Sequence, residues 1–187
     1  MKKGTIFLTA FAALTLMLGG CKKSSDTPAN NNPSASNLDA GKAVVKFTSN
    51  PGFGGATTFN ISNTTTTPTT ATTLSSSSLR NVSISATDVN LSGSARIVQL
   101  MIILPVDAST SGGNLTADFS QPNGATILPT LALTSTPSGT QYSSQSGSLT
   151  ITKLTATEIE GTFSCTVKEV TGTATLSITE GSFAGKF

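Results

Sequence analysis

The chain of 187 residues contains no histidine and no tryptophan, and it has only one tyrosine and two cysteines. Without histidine there is no imidazole to act as the base of a Ser-His-Asp triad. Since zinc is held mainly by His and Cys, the same absence argues against a zinc site. Few aromatic residues remain that could stack on a sugar, and Phe53, in the glycine-rich stretch 51–55, is the only one we expect to be exposed.

Charged residues are also scarce, at 11% of the chain, with eleven basic and nine acidic side chains. Two of the basic residues, Lys2 and Lys3, belong to an N-terminal segment that we expect to be removed, which leaves nine of each sign. A neutral chain lacks the basic surface that binding to nucleic acid requires. The composition therefore argues against a nucleic-acid partner.

An apolar run at residues 6–18 follows the two lysines and ends in Leu18-Gly19-Gly20-Cys21. Thirteen residues are too few to span a bilayer, which needs about 20, and the pattern is typical of an export signal. An apolar residue, two small residues and a cysteine resemble the lipobox of bacterial lipoproteins. The resemblance implies that residues 1–20 are removed and that Cys21 receives a lipid anchor of the palmitate type. The alternative is an ordinary secretory signal in which Cys21 falls by chance.

Removal of 20 residues from 187 leaves 167, enough for one domain. Residues 21–37 have no apolar side chain larger than alanine after Cys21, so we expect a disordered tether there and a β-domain over 38–187. Residues 63–78 are a low-complexity run of Thr and Ser. They predict a long loop with an edge strand near 70–74, or else a glycosylated segment.

Alternating and continuous apolar patterns predict an all-β fold of eight to ten antiparallel strands, as a two-sheet sandwich or a flattened barrel. Val82, Ile84 and Ala86 alternate with polar residues, as in a half-buried strand. Residues 96–104 are almost continuously apolar, which predicts a central strand covered on both faces. Pro129 interrupts a weaker pattern at 127–133 and predicts an edge or irregular strand.

The C-terminal third has the clearest alternation. One face of residues 158–167 carries Ile159, Phe163, Cys165 and Val167. Because Cys165 is in phase with these residues, we interpret it as a small core residue with an inert thiol. Residues 160–164 (EGTFS) recur as 180–184 (EGSFA), which indicates consecutive antiparallel strands of a meander.

The lipobox, the polar tether and the closing segments GSLTITKL, IEGTFSCTV and LSITEGSFAGKF resemble uncharacterised small lipoproteins of Bacteroidota. The likeness covers the signal and about the last 45 residues. It implies a lipid-anchored protein of the bacterial outer membrane with a β-fold, and no catalytic activity. Only one acidic residue, Asp26, follows Cys21 closely, so the periplasmic and the cell-surface faces of that membrane both stay open.

Asp88, Asn90 and Ser92, with Gly93, match the opening of a calcium-binding loop, in which oxygen ligands occupy the first, third and fifth positions. The twelfth position is Gln99 rather than glutamate, and the same residues suit a turn between strands. The pattern thus leaves a calcium site and a turn between strands as alternatives.

Glu158 and Glu160 would lie about 7 Å apart on one strand face, a spacing that could suit glycosidase chemistry. No apolar neighbours accompany them on that face, and the alternation predicts that both side chains point to water. We interpret them as part of a solvated face.

These patterns predict an envelope lipoprotein that is not an enzyme and needs no cofactor. It would be anchored to the membrane by its N-terminal lipid and would act as a structural or interaction module for a protein or glycan. The alternative is a barrel-type carrier of a small apolar ligand, with Val98, Leu100 and Ile102 lining its cavity.

Overall fold

A computed structural model describes residues 32–62, 69–89 and 95–187. The described chain contains ten strands and one 3-10 turn (Ala35–Asn37). The strands are β1 (Ala43–Phe53), β2 (Ala56–Ser62), β3 (Thr69–Ser75), β4 (Leu79–Val89), β5 (Ala95–Pro105), β6 (Leu115–Asp118), β7 (Leu128–Ser135), β8 (Thr140–Leu154), β9 (Glu158–Glu169) and β10 (Thr175–Lys186). The predicted all-β fold is confirmed.

All ten strands belong to one antiparallel sheet in the order β2-β1-β10-β9-β8-β7-β5-β4-β3, and β6 pairs with β8 beside this path. The terminal strand β3 returns to the start of β1. Ala71 N donates to Gly41 O at 3.1 Å, and Ala43 N donates to Thr69 Oγ1 at 3.3 Å. The sheet thus curls into a half-barrel around one apolar core. β3 is an edge strand, as the sequence predicted for residues 70–74; residues 63–68 lie outside the described part.

Alternation identified the inner face of the sheet correctly in most strands. Val82, Ile84 and Ala86 of β4 are fully buried, and so is Val167 of β9. Threonine and serine occupy many of the outward positions, where they suit a pleated and partly solvated surface. The core is filled by side chains from every strand except β6, whose apolar residues are only partly buried against it.

The prediction that β5 is covered on both faces is wrong. Leu100 and Ile102 point inward and are fully buried, whereas Met101 and Ile103 point outward and keep part of their surface exposed. A half-barrel has only one inner face, and in the described chain no second layer covers the outside of β5. Its outward apolar side chains lie beside those of β4 and β7, with which β5 pairs.

The predicted edge or irregular strand at Pro129 is found only locally, because β7 pairs with β5 along its length and with β8 only over its second half. The β8 pairing begins only at Ala132, three residues after the proline. Pro129 O accepts from Gln121 Nε2 at 3.0 Å, so this residue's backbone N and O point away from β5. The missing N–H therefore removes no hydrogen bond of the β5–β7 ladder.

The N-terminal boundary of the domain differs from our expectation. Residues 32–37, expected within the disordered tether, lie on the domain: Ala35 is fully buried, and its N donates to Glu160 Oε1 at 2.7 Å. Ser34 Oγ donates to the same oxygen at 3.0 Å. A carboxylate that accepts two local donors holds a segment that has no large apolar side chain. Residues 21–31 lie outside the described part.

The repeated pentapeptides face one another across β9 and β10. Gly161 pairs with Phe183, and Gly181 pairs with Phe163, in antiparallel register. Each aromatic ring lies over the glycine of the other strand, and the two rings are 6.3 Å apart between centroids. This arrangement confirms the predicted meander and shields the backbone at both glycines.

Candidate functional site

The predicted lipidation site, Cys21, lies outside the described residues, as do Asn90 and Ser92 of the calcium candidate. Asp88, the remaining member, forms an ion pair with Arg96 through Oδ2. Its carboxylate is therefore already engaged by a cation. Within the described chain, no group of three or more His, Cys, Asp or Glu side chains is arranged to hold a metal ion.

Arg96 joins strands that are far apart in the sheet order. It lies on β5, donates to Phe53 O at 3.4 Å and to Thr58 O at 3.3 Å, and stacks 5.3 Å from the Phe59 ring centroid. These contacts reach the end strand β2 and its neighbour β1. With Asp88 balancing its charge, we interpret Arg96 as a structural clamp.

Phe53, which we expected to be exposed, is only 1% exposed. It is the last residue of β1 rather than part of a loop, and its ring packs 6.4 Å from those of Phe59 and Tyr142. Only Gly54 and Gly55 of the glycine-rich stretch form the turn between β1 and β2. Phe53 is therefore a core residue and offers no platform for a sugar.

Cys165 is buried in the core, as its phase in β9 predicted. Burial raises the pKa of its thiol from 9.0 to about 12. Since the thiolate is the reactive form, this cysteine is inert at neutral pH.

Glu158 and Glu160 contribute to structure on the outer face of β9. Lys153 Nζ lies 2.6 Å from Glu158 Oε2 and 3.6 Å from Glu160 Oε1. The hydrogen bond to Glu158 raises the pKa of Lys153, against a smaller desolvation effect. Both carboxylates are thus ion-paired and half-buried rather than freely solvated, and Glu160 also holds residues 34 and 35.

The arrangement that the sequence analysis missed is centred on Arg80 of β4, which is 7% exposed. Its Nε donates to Thr73 Oγ1 at 3.0 Å, and its two terminal nitrogens donate to Thr155 O at 2.7 Å and to Ala156 O at 3.2 Å. The guanidinium carbon lies 5.1 Å from the ring centroid of Phe187. Arg80 is in phase with Val82, Ile84 and Ala86, so the alternation already indicated an inward-pointing cation.

A cleft of about 400 Å³ opens beside this guanidinium. We call it the Arg80 cleft; Arg80 lines it together with Thr73, Ser75, Val106, Ala108, Ser109, Leu154, Thr155 and Ala156. It lies at the end of the half-barrel where the β8–β9 turn and the segment after β5 meet. One cation, four hydroxyls and several aliphatic side chains therefore surround one open space.

No carboxylate balances the charge of Arg80 among the described residues, where the ion pairs involve Arg96 and Lys153 instead. Its partners are two carbonyls, one hydroxyl and an aromatic face. Burial lowers the pKa of Arg80, but an arginine keeps its proton in proteins. The Arg80 side chain is thus largely shielded from water, and it has no counter-ion within the part of the chain that the structure describes.

The residues proposed to line a carrier cavity lie in the core. Val98, Leu100 and Ile102 are fully buried in the same cluster as the facing strands. None of them lines the Arg80 cleft. The carrier function stays a prediction without a structural feature that favours it.

Within the described residues, no helix is both long and apolar enough to cross a membrane. No protein-family model, no curated protein and no solved structure matches this chain.

Proposed function

We propose that the protein is a lipid-anchored lipoprotein of the bacterial outer membrane whose β-domain is an interaction module and not an enzyme. The module meets its partner, a protein or a glycan, with the end of the half-barrel that carries the Arg80 cleft. The observation that carries this proposal is Arg80, a buried cation at the edge of an open cleft that forms no ion pair with any described residue. Burying a charge without a counter-ion costs folding free energy, and a bound anion would offset that cost.

The location rests on the residues before the domain. The lipobox-like sequence Leu18-Gly19-Gly20-Cys21 ends an apolar run that is too short to span a bilayer. Only residues 22–31 separate Cys21 from the first described residue of the domain. Since two or more acyl chains hold a protein stably on a membrane, a lipidated Cys21 would be a sufficient anchor.

The chain offers a matched pair of variants for the anchor, because it has only two cysteines. Cys21→Ser should move the protein from the membrane fraction to the soluble fraction of cells. Cys165→Ser, which changes the buried thiol, should leave it in the membrane fraction. Equal membrane retention of wild type and Cys21→Ser would remove the anchor from the proposal.

The interaction face can be tested with a photo-crosslinking amino acid placed at one of two exposed valines. Val106 lines the Arg80 cleft and is 43% exposed, and Val170, after β9, is 61% exposed. Twelve residues of β9 place Val170 roughly 35–40 Å from the cleft. In intact cells the probe at Val106 should give a discrete crosslinked product that Arg80→Gln abolishes. A product from Val170 alone, or one that is insensitive to Arg80→Gln, would place the partner elsewhere.

A further inference from the structure

The hydrogen bonds of Arg80 leave part of its donor capacity unused. A guanidinium carries five N–H groups, and in the described structure three of them are accepted, by Thr73 Oγ1, Thr155 O and Ala156 O. Each terminal nitrogen donates one of these bonds and therefore keeps one further hydrogen. The three acceptors hold the guanidinium plane, and two of its five donors have no acceptor among the described residues.

The other arginine of the chain shows the contrast. Arg96 also donates to two carbonyls and stacks on a phenylalanine, but Asp88 supplies it with a carboxylate. Arg80 has the equivalent carbonyl and aromatic contacts and no carboxylate among the described residues. The missing member of the Arg80 arrangement is therefore an anion.

The lining of the cleft restricts the kind of anion. Arg80 is its only charged lining residue, so the site balances one negative charge rather than two. A planar guanidinium matches the two oxygens of a carboxylate in a bidentate manner. Val106, Leu154 and Ala156 supply aliphatic surface beside the guanidinium, and Ser109 and Thr155 supply hydroxyls.

We propose that the Arg80 cleft binds a singly charged carboxylate attached to a short aliphatic body. The inference rests on the proposed function, because it specifies the chemistry by which the interaction module recognises its partner. The carboxylate accepts hydrogen bonds from the two unused N–H groups of Arg80, and the aliphatic part packs against Val106 and Leu154.

The probe is N-acetyl-L-valine, which carries one carboxylate and a short aliphatic side chain, titrated into the detergent-solubilised full protein by calorimetry. Saturable binding is expected. N-acetyl-L-valine methyl ester, which has the same body without the charge, should bind at least about 10-fold more weakly, the scale of a charge-assisted hydrogen bond. Equal binding of acid and ester, or no saturable binding of the acid, overturns the proposal. Tighter binding of inorganic phosphate than of the acid overturns the assignment of a single charge.

Variants test whether Arg80 is the binding group. Arg80→Gln should weaken binding of the acid at least about 10-fold, and Arg80→Lys should weaken it as well, because lysine lacks the planar fork. The control is Lys168→Gln, which removes one exposed positive charge at the far end of β9 and should leave binding unchanged. Equal binding by Arg80→Lys and wild type overturns the bidentate geometry. If Arg80→Gln fails to fold, the Arg80→Lys variant and the comparison of acid with ester still test whether Arg80 binds the carboxylate.

Failure of this inference can be distinguished from failure of the proposed function. If the acid does not bind but the Val106 probe still crosslinks a partner, the interaction module stands and the carboxylate chemistry is wrong. If the acid binds but Cys21→Ser stays in the membrane fraction, the site stands and the lipid anchor is wrong.

Discussion

At the scale of single residues, the two arginines join strands that the sheet order separates. Arg96 ties β5 to β1 and β2, and Arg80 ties β4 to the turn between β8 and β9. A curled sheet brings such strands together across its open side, where side chains must supply the contacts that a ladder would otherwise provide. The two side chains differ in their counter-ion, and this difference makes Arg80 the candidate for binding.

The paired glycines make a residue-scale prediction about packing. A Cβ at Gly161 would lie 2.6 Å from a ring carbon of Phe183 and would also meet Thr150 O. Gly161→Ala should therefore destabilise the protein by about 1–3 kcal/mol, the usual effect of overpacking. Urea unfolding of the purified protein measures the change.

Gly112 is the matched control, because nothing lies within 4 Å of a Cβ added there. Gly112→Ala should change stability by less than about 0.5 kcal/mol. Equal effects of the two substitutions would show that Phe183 does not cover Gly161.

The buried thiol predicts a pH dependence. Cys165 ionises near 9.0 in the unfolded chain and at about 12 in the folded protein. Between these values the unfolded state releases a proton that the folded state retains, so stability falls as pH rises through this window. The contribution is at most about 1.4 kcal/mol per pH unit. Stability measured from pH 9 upward should decline more steeply in wild type than in Cys165→Ala, and identical slopes would contradict the burial of a protonated thiol.

Sequence reasoning succeeded at residues whose role follows from phase and failed where tertiary closure decides. The position of Cys165 follows from its alternation with Phe163 and Val167. The same kind of alternation predicts that Arg80 points inward. It does not predict the partners of this cation, because the carbonyls that accept its hydrogen bonds lie on a turn far away in the sequence. Phe53 misled us because the glycines beside it suggested a loop, whereas the turn contains only Gly54 and Gly55.

At the scale of elements, the inner face was predicted correctly for strands that have one polar face. The environment of strands without a polar face was not. β4 and β9 alternate cleanly, and their inner faces were identified correctly. β5 is apolar throughout, and the sequence alone does not distinguish a doubly covered strand from one on a half-barrel with an under-covered outer face. Pro129 indicated an edge or irregular strand, which fits the first half of β7, whereas the pairing of the second half with β8 did not follow from the sequence.

The N-terminal segment gives a prediction at this scale. Glu160 accepts hydrogen bonds from Ser34 and Ala35, whereas Glu158 contacts only Lys153 among these groups. Glu160→Ala should release the 3-10 turn (Ala35–Asn37) from β9, because it leaves the N–H of Ala35 without its acceptor. Hydrogen exchange at the amides of residues 35–38 should then accelerate.

Glu158→Ala is the control, since it removes a carboxylate from the same strand and the same lysine without touching the turn. It should leave exchange at residues 35–38 unchanged. Equal acceleration in both variants would mean that Lys153, rather than Glu160, holds the segment.

At the scale of the whole molecule, the described domain is a half-barrel that carries the Arg80 cleft at one end. We propose that a lipid anchor at Cys21 precedes it. The composition indicated the all-β class, and the count of ten strands lies within the predicted range. The sequence left a two-sheet sandwich and a flattened barrel open, and the observed half-barrel favours the second, because contacts between the ends of the sheet, such as Ala71 with Gly41, curl it. A lipid anchor at Cys21, as we propose, would place this domain and its cleft at a membrane surface.

The central claim is that Cys21 is the lipidated N-terminus of the mature chain. The most direct measurement is mass spectrometry of the N-terminal peptide of the protein extracted from membranes, with thiols labelled after unfolding. We predict a peptide that starts at Cys21, carries the mass of its acyl groups and takes up no label, while Cys165 is labelled. An unmodified Cys21 that takes up the label, or a mature chain that starts at another residue, would contradict the account.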